Sequence, residues 1–505
     1  MVNILSKKTT PTAATRTMCI VLVILTMLLS SSAWATDWYV NGDTGIDGPG
    51  SNCDAVGNTR GTSSAPFKNT WCSQHHAKAG DTVHLQPTIA PYPAISINMS
   101  GDDGNPVTFT GDNVAKITNN PTGTGASPRF SVYIYNSSNI VLKNFDISGD
   151  SSVSTTCVFV TLSNNFVISG NTIHGCGNVG IQTVKTDMFT ISNNTVYGNA
   201  YNTNNGTFGS GISILGSSNP AVGILSTDTG QIISTDTGAL LSTSPEMCTT
   251  GYRIVITGNI IYGNYNTPRT QSSCGGSLNS SCVCTGLACS SYGYDTDGNG
   301  IIIDRNDGST TTHVTYGGRT LITNNVIFGN GGRGVHVYLS GNVDVFNNTS
   351  YNNNQDPYEA APSHAGEYTF ASAYGINRVF NNIAYSQNNY PTSYPSTPST
   401  TNLASAIRCY NSSGTFSYGN NVDYNVTNTP AYDVITSGCN AATNAGGQVW
   451  GDPLFLTPSL IPGTANFKIS GSSPAVAASL PAYSPLTDIT GIVRGASPSS
   501  GAYQP

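Results

Sequence analysis

One short pattern recurs along most of the sequence: an apolar residue, any residue, a second apolar residue, two further residues and an asparagine. Copies include "FVISGN", "FTISNN", "IVITGN", "TLITNN" and "VDVFNN", which end at Asn171, Asn194, Asn259, Asn325 and Asn348. Asn171 and Asn194 lie 23 residues apart, as do Asn325 and Asn348, and longer intervals hold insertions. This period, built from two-residue alternation, predicts an all-β solenoid: a parallel β-helix with three short strands in each coil.

The recurring asparagine is expected at the same bend of every coil, because asparagine tolerates left-handed backbone angles. Its side-chain amide can then hydrogen-bond to the equivalent amide of the next coil. We expect one such internal ladder to contain Asn171, Asn194, Asn259, Asn325, Asn348 and Asn382. A leucine-rich repeat would carry leucines at fixed places, and a propeller would need about 40 residues per blade, so neither class fits.

The first 35 residues have the pattern of a secretory signal peptide. An apolar run starts at Met18, and Ala33-Trp34-Ala35 fits a signal-peptidase site. The basic residues before the run are Lys7, Lys8 and Arg16. An uncleaved membrane anchor is the alternative, which the shortness of the run disfavours. We therefore expect a secreted or periplasmic protein that begins near Thr36 and has no membrane segment after cleavage.

Charge and composition narrow the class of partner. Removing the signal lowers the number of basic residues from 19 to 16, against 26 acidic residues, so the mature chain has no general attraction for nucleic acid. Only 9% of residues are charged and 55 are glycine, which disfavours helices. We expect a monomer in which any anionic ligand is held by local arginines or by a bound cation.

Cysteine usage agrees with export. Of 12 cysteines, Cys19 lies in the signal, and the other eleven are expected mainly in disulfides. Cys53–Cys72 and Cys409–Cys439 are the expected local pairs. A further cluster, Cys274, Cys282, Cys284 and Cys289, with Cys248 as a possible fifth member, is expected to cross-link one loop. A zinc site is the less favoured interpretation of that cluster, since no histidine lies nearby.

The repeat also divides the chain into segments. After the signal (1–35) we expect an N-terminal cap with the first coils (36–110), the β-helix (111–450) and a closing segment (451–505). Insertions interrupt the repeat at about 200–250 and 265–294. Long loops on one face of a solenoid usually build its binding site, so these insertions direct attention to the coils around them.

A second strand, opened by glycine, precedes each asparagine-bend strand. Its copies are "GIQT", "GISI", "GIIID" and "GVHV". If the residue after the glycine points into the core, the next residue points outward, because strand side chains alternate. The expected outward column is Gln182, Ser213, Ile302 and His336, with Asp304 and Tyr338 in a column two residues further along. A column one residue before each glycine holds Val179, Ser210, Asn299 and Arg333.

Because coils stack about 4.8 Å apart, adjacent coils should gather polar side chains in one groove. The expected members are Asp297, Asn299, Asp304, Arg333, His336 and Tyr338. Glu367 opens the following turn and is placed beside Arg333, and Arg319 is expected to approach from a loop. In a chain with few charges this convergence predicts a functional site. The alternative is a set of solvated surface charges.

The stretch "DTDGNG" matches the start of an EF-hand calcium loop, with Asp295, Asp297 and Asn299 at alternate positions before Gly300. The twelfth position, however, is Asn306 rather than a glutamate, and a strand rather than a helix follows. A calcium site formed by Asp295, Asp297, Asn299 and Asp304 is therefore one interpretation. An Asp- and Asn-rich turn that caps a strand is the other.

Several segments resemble right-handed parallel β-helix proteins of the pectate-lyase-like superfamily. The N-terminal stretches "DWYVNGDTGIDG", "GTSSAPFKN" and "AKAGDTVHL" resemble the first coils of secreted bacterial polysaccharide lyases, and "DPLF", "SSPAV" and "DITGIVR" resemble their closing segment. The resemblance covers nearly all of the mature chain. It implies a right-handed β-helix, an extracellular polysaccharide as partner, and calcium that neutralises a uronate carboxylate.

The expected reaction is β-elimination from a uronate-containing polysaccharide, which needs carboxylate neutralisation, a base and a proton donor. No lysine occurs between Lys185 and Lys468, so the base falls to His336 or Arg333. We assign His336 as base or acid, Arg333 as carboxylate clamp and Glu367 as the residue that orients one of them. Two alternatives remain: a glycoside hydrolase with a carboxylate pair such as Asp297 and Asp304, and a non-catalytic carbohydrate-binding or adhesin-like β-helix.

Overall fold

A computed structural model describes residues 35–47, 53, 60–119, 130–151, 153–201, 209–217, 251–265, 297–307, 315–355, 366–386, 405–425, 434–436 and 438–505. Nearly all regular elements in this part are short β-strands. The exceptions are the α-helix Thr70–His76 and the 3-10 helix Pro481–Tyr483. The Asn69 side chain begins the α-helix by accepting hydrogen bonds from the backbone N–H groups of Trp71 and Cys72. The predicted signal segment lies outside the described residues.

The described strands form three long parallel sheets, named here the first, second and third sheets. The first sheet has 12 described strands: Asp37–Val40, Thr82–Leu85, Val107–Thr110, Ser138–Lys143, Asn164–Ser169, Asp187–Ser192, Tyr252–Thr257, Arg319–Thr323, Val343–Phe346, Ile376–Phe380, Ser412–Gly419 and Cys439–Asn444.

The second sheet has ten described strands: Lys116–Thr118, Asp146–Ser148, Thr172–His174, Thr195–Tyr197, Ile260–Tyr262, Val326–Phe328, Thr349–Tyr351, Ile383–Ser386, Val422–Asn425 and Val449–Trp450. The third sheet also has ten: Ile95–Ile97, Phe130–Tyr135, Thr156–Thr161, Ile181–Val184, Ile212–Leu215, Ile301–Asp304, Val335–Tyr338, Gly366–Ala371, Ser405–Tyr410 and Val434–Ile435. A separate antiparallel pair, Phe455–Thr457 with Asn466–Ile469, follows the coils.

Each coil runs through the third, first and second sheets in turn, and each strand pairs with its counterpart one coil away. The residue after the opening glycine points inward, as the alternation predicts: Ile181, Ile212, Ile301 and Val335 are register partners and are fully buried. Similar columns from the other sheets complete one continuous apolar core. The fold is therefore the predicted all-β, three-sheet parallel β-helix.

The predicted asparagine ladder is confirmed, but the left-handed backbone expected at these asparagines is wrong: the residue before each one, such as Asn193, Asn324 or Asn347, has the positive φ. Each side-chain Nδ2 donates to the Oδ1 of the next member, at 2.9–3.1 Å, from Asn171 through Asn194, Asn259, Asn325 and Asn348 to Asn382. The ladder continues to Asn421 and ends on Gln448 Oε1. Every asparagine in it is buried, so the ladder satisfies polar groups that the apolar core cannot.

A second ladder lies at the bend between the second and third sheets, and we did not predict it. Asn199, Asn264, Asn330 and Asn353 are linked by Nδ2–Oδ1 hydrogen bonds of 2.8–3.0 Å. Each follows a member of the first ladder by five residues, for example in "NTVYGN" and "NIIYGN". This spacing was visible in the sequence. The ladder ends on a carboxylate, because Asn353 donates to Glu367 through both its backbone N–H and its side-chain amide.

Three disulfides are described. Cys53–Cys72 and Cys409–Cys439 confirm the expected pairs, and Cys157–Cys176 is a third that we did not predict. The expected loop cluster of Cys248, Cys274, Cys282, Cys284 and Cys289 lies outside the described residues, as do most of the two predicted insertions. Within the described residues, no helix is long and apolar enough to span a membrane.

Candidate functional site

The outer face of the third sheet carries the predicted polar column. Gln182, Ser213, Ile302 and His336 are consecutive register partners, which confirms the column, and it continues to Thr369 and Arg408. Asp304 and Tyr338 pair two residues further along, also as predicted. The column before each glycine is aligned too, since Gly211 donates to the carbonyl of Asn299 and Gly300 to that of Arg333.

This outward column is enclosed over its middle part. Ser213, Ile302, His336 and Thr369 are 7%, 4%, 5% and 0% exposed. Electrostatic interactions in such a water-poor region are stronger than at an open surface. The residues at the two ends of the column, Gln182 and Arg408, are half-buried.

His336 lies in this enclosed stretch. Both of its ring nitrogens are buried and have no hydrogen-bond partner among the described residues. Burial, and then the positive charge of Arg333, lower the pKa of His336 well below its usual value. A histidine in water titrates near neutrality, so enclosure is what changes the protonation of this ring. The imidazole is instead neutral at neutral pH, which is the state in which histidine accepts a proton.

Two guanidinium groups belong to the same region. Arg333 is 1% exposed, and its backbone N–H donates to Asn299 Oδ1 at 3.0 Å. Burial lowers the pKa of Arg408. Tyr410 acts in the opposite direction, and the like charge of Arg333 lowers the pKa further. The Arg408 Nε is buried and has no hydrogen-bond partner in the described part of the chain. The structure therefore gathers Arg333, His336 and Arg408, which is a locally cationic arrangement.

We did not predict Arg408 from the sequence. In "SAIRCY" the alternation around buried Ile407 and Cys409 does point Arg408 outward. The period is broken in this region, because Asn348 and Asn382 lie 34 residues apart and Asn382 and Asn421 lie 39 apart. The sequence therefore does not show to which coil Arg408 belongs. The register with Thr369 resolves it.

Asp304 and Tyr338 occupy the next column of the same face. Burial raises the pKa of Asp304 to about 6, with Arg305 opposing and Asp307 adding to the shift. The Tyr338 ring lies 5.7 Å from the His336 ring, centroid to centroid. A carboxyl group with this pKa holds a proton under mildly acidic conditions and can donate it.

The four predicted calcium ligands do not converge among the described residues. Asp295 lies outside them. Asn299 is in use: its Oδ1 accepts from the Arg333 N–H and its Nδ2 donates to Asp297 Oδ1 at 3.2 Å. Asp304 is four residues beyond Gly300, roughly 13 Å along an extended strand. In the described ranges no group of three His, Cys, Asp or Glu side chains could hold a metal ion. The described residues therefore do not fit one calcium shell.

Glu367 and Arg319 are placed away from the outer groove. The Glu367 carboxylate accepts from Ser350 Oγ at 2.6 Å and from Asn353, so it closes the second ladder inside the coil. Burial raises the pKa of Glu367 to about 7, although the hydrogen bonds from Asn353 and Ser350 oppose the shift. Arg319 does not lie in a loop. It begins a strand of the first sheet and forms a forked pair with Asp344 at 2.7 and 2.8 Å.

Gly334 lies between Arg333 and Val335, where neighbouring coils come close together. A Cβ at Gly334 would lie 2.7 Å from the Glu367 carbonyl oxygen and would also clash with Ser350 Oγ. Glycine is thus required for close approach between coils directly behind the candidate site.

Comparisons with known proteins agree with this fold. Residues 95–223 match the family described as the right handed beta helix region. No curated protein matches the sequence. Among solved structures, pectate lyase Pel9A is 17% identical, with 94% of this chain and 98% of that chain covered and a TM-score of 0.45.

Two further solved structures show the same level of similarity. An alginate lyase from Paenibacillus sp. str. FPU-7 is 16% identical, with 75% and 92% of the two chains covered and a TM-score of 0.33. The GH136 lacto-N-biosidase from Eubacterium ramulus is 13% identical, with 82% and 68% covered and a TM-score of 0.36. The three parallel sheets and the asparagine ladders show a parallel β-helix, and the family match over residues 95–223 is to the right-handed form of that fold.

Proposed function

We propose that the outer face of the third sheet binds an extracellular uronate-containing polysaccharide and cleaves it by β-elimination. The observation that carries this proposal is the grouping of a neutral, buried His336 with the guanidinium groups of Arg333 and Arg408. Two like charges in a water-poor site repel, and Arg333 lowers the pKa of Arg408 for this reason. A substrate carboxylate between them would relieve that repulsion, and guanidinium groups bind carboxylates in a forked geometry.

The residues then have distinct roles. Arg333 and Arg408 hold the uronate carboxylate and stabilise the negative charge that develops on it when C5 is deprotonated. His336 Nδ1 or Nε2 takes the C5 proton. The C5–H electrons form the C4–C5 double bond, the C4–O bond breaks, and the leaving oxygen takes a proton. A bound carboxylate also adds negative charge beside His336, which favours its protonated form.

Asp304 is the proton donor in this scheme. It lies one strand away and two residues along from His336, since His336 pairs with Ile302 and Asp304 with Tyr338. With strands about 4.8 Å apart and about 3.3 Å per residue, that diagonal is roughly 8 Å, enough for a sugar ring between the two groups. The pKa of Asp304, raised to about 6, keeps part of the population protonated in mild acid.

A hydrolase with a carboxylate pair fits the geometry less well. Inverting and retaining hydrolases place their two carboxyl groups about 5–9.5 Å apart across the scissile bond. Asp304 lies roughly 13 Å beyond Gly300, and Asp297 precedes that glycine, so this pair is too widely spaced. Glu367 is hydrogen-bonded within the second ladder. These placements favour elimination over hydrolysis.

Export belongs to the same proposal. Three disulfides form in the described part of the chain, and such bonds persist in oxidising compartments. Together with the signal-like first 35 residues, they support action outside the cytoplasm, on a polysaccharide too large to enter it.

The test measures ultraviolet absorbance of unsaturated uronates on a panel containing polygalacturonate, alginate and a rhamnogalacturonan. Wild-type protein is expected to release absorbing products from one of them. His336→Ala should lower turnover by roughly two to four orders of magnitude. Arg408→Lys should also be strongly impaired, because an ammonium cannot replace the guanidinium fork.

The matched control is Lys116→Ala, which removes a cation with a 66% exposed side chain from the second sheet and should leave turnover unchanged. Release of reducing ends without absorbance would indicate hydrolysis and contradict the proposal. Binding without any cleavage across the panel would instead support the carbohydrate-binding alternative.

A further inference from the structure

The N-terminal end of the third sheet carries an aromatic cluster on its outer face. Phe130, Tyr133, Tyr135 and Phe159 lie on two adjacent strands. The Phe130 and Phe159 rings stack at 4.5 Å and 11°, and Tyr133 lies 5.8 Å from Phe159 at 17°. Tyr135 is 38% exposed, and the other three rings are half-buried. We call these four residues the aromatic patch.

Three of the four rings, those of Tyr133, Phe159 and Tyr135, belong to the same two outward columns as the candidate site. Tyr133 pairs with Phe159 and Phe159 with Gln182, which leads to Ser213, Ile302 and His336. Tyr135 pairs with Thr161 in the column that leads to Asp304 and Tyr338. Four coil steps separate Phe159 from His336, roughly 19 Å at 4.8 Å per step.

Along the two columns, the residues that follow the patch are Gln182, Thr161 and Val184, none of which carries a charge. Sugar rings present apolar C–H faces with hydroxyls at their edges. Half-exposed aromatic rings next to an amide and a hydroxyl match both features.

We propose that the aromatic patch is a distal carbohydrate subsite that holds sugar units of the same polysaccharide chain whose uronate lies at Arg333, His336 and Arg408. The inference rests on the proposed function for the direction of the chain, and on the separation of roughly 19 Å between the two sites for the length of chain that spans them. A long chain reaches both sites, whereas a short oligosaccharide occupies the cationic site alone. The patch therefore lowers KM for polymers and not for short substrates.

The test compares Tyr133→Ala/Phe159→Ala with wild type on the intact polymer that the lyase assay selects and on a uronate trisaccharide. The KM for the polymer should rise roughly tenfold, which corresponds to about 1.4 kcal/mol for the two ring contacts together. The kcat on the polymer and both constants on the trisaccharide should stay near wild type. The single variant Phe159→Tyr keeps an aromatic ring at this position, so its KM for the polymer should stay close to that of wild type.

The matched control is Tyr197→Ala, which removes a stacked, half-buried ring from the outer face of the second sheet and should leave every constant unchanged. Calorimetric binding of the polyuronate panel to His336→Ala protein, with and without the two patch substitutions, tests the subsite independently of turnover. Weaker binding after the patch substitutions supports the subsite even if no lyase activity exists. Equal polymer KM and equal binding with and without the patch would refute it.

Discussion

Glu367→Gln is the sharpest test of how the interior of this β-helix is held together. The Glu367 side chain is fully buried and ends the second asparagine ladder, with hydrogen bonds from Ser350 Oγ and from Asn353. Glutamine has the same shape as a protonated glutamic acid and carries no charge. The substitution therefore removes ionisation at this position. The NH2 group of the glutamine must face one of the donors that the carboxyl accepts from, which lowers stability equally at every pH, so the readout is the pH dependence of stability.

The expected size follows from the pKa of Glu367, which burial raises from 4.5 to about 7. The folded protein binds this proton more tightly than the unfolded chain, so its stabilising contribution is complete below pH 4.5 and is lost as the pH rises through 7. The shift corresponds to about 3 kcal/mol at 1.36 kcal/mol per pH unit. Asp304, whose pKa is raised to about 6, adds a slope of the same sign.

The assay is the urea unfolding midpoint measured from pH 4.5 to 8, with the m-value checked at each pH because repeat proteins can unfold in several steps. Wild type should lose stability across this range, and Glu367→Gln should lose clearly less. The control Asp102→Asn removes an exposed acid and should keep the wild-type slope. An unchanged slope in Glu367→Gln would refute the argument. Lost lyase turnover with normal stability would return Glu367 to a catalytic role.

Three further predictions follow from other contacts. Asp344→Asn should lower the free energy of unfolding, measured by urea titration, by roughly 2 kcal/mol, because it removes the buried partner of Arg319 and Arg378. The loss is moderate because water can solvate both arginines, which are partly exposed. Asn259→Ala should cost about 2–4 kcal/mol in the same titration, because it leaves the buried Asn194 N–H without its acceptor. Treatment with EDTA should leave the melting temperature and the lyase rate unchanged, because the proposed scheme uses arginines rather than calcium to hold the carboxylate. Activity restored only by added calcium would contradict this.

Much of the architecture was predictable because the solenoid repeats one local rule. Two-residue alternation sets which side chains point inward, and the glycine that opens each strand sets the phase, so His336 and Ile302 could be placed in one column from sequence. The Asn325 bend was predictable for the same reason. Both features depend only on residues near each other in the chain and on a constant coil height.

The parts that could not be predicted depend on contacts between distant residues. Arg408 joins the site across an irregular interval, so local spacing does not reveal its coil. The sequence around Glu367 predicts a charged turn residue that points outward. In the structure, Ser350 and Asn353 donate hydrogen bonds to its carboxylate inside the coil. The pKa of His336 is set by enclosure and by Arg333, neither of which periodicity reports.

Charge balance explains why recognition at this site is expected to be short-range. The whole chain has a net charge of −7, so a polyuronate gains nothing from long-range attraction. At contact, however, Arg333 and Arg408 act in a water-poor region where a forked pair with a carboxylate is much stronger than in bulk water. Discrimination then depends on fitting one carboxylate beside His336 rather than on total anionic charge. A densely charged polyanion without that geometry, such as nucleic acid, is repelled at distance and has no compensating fit on contact.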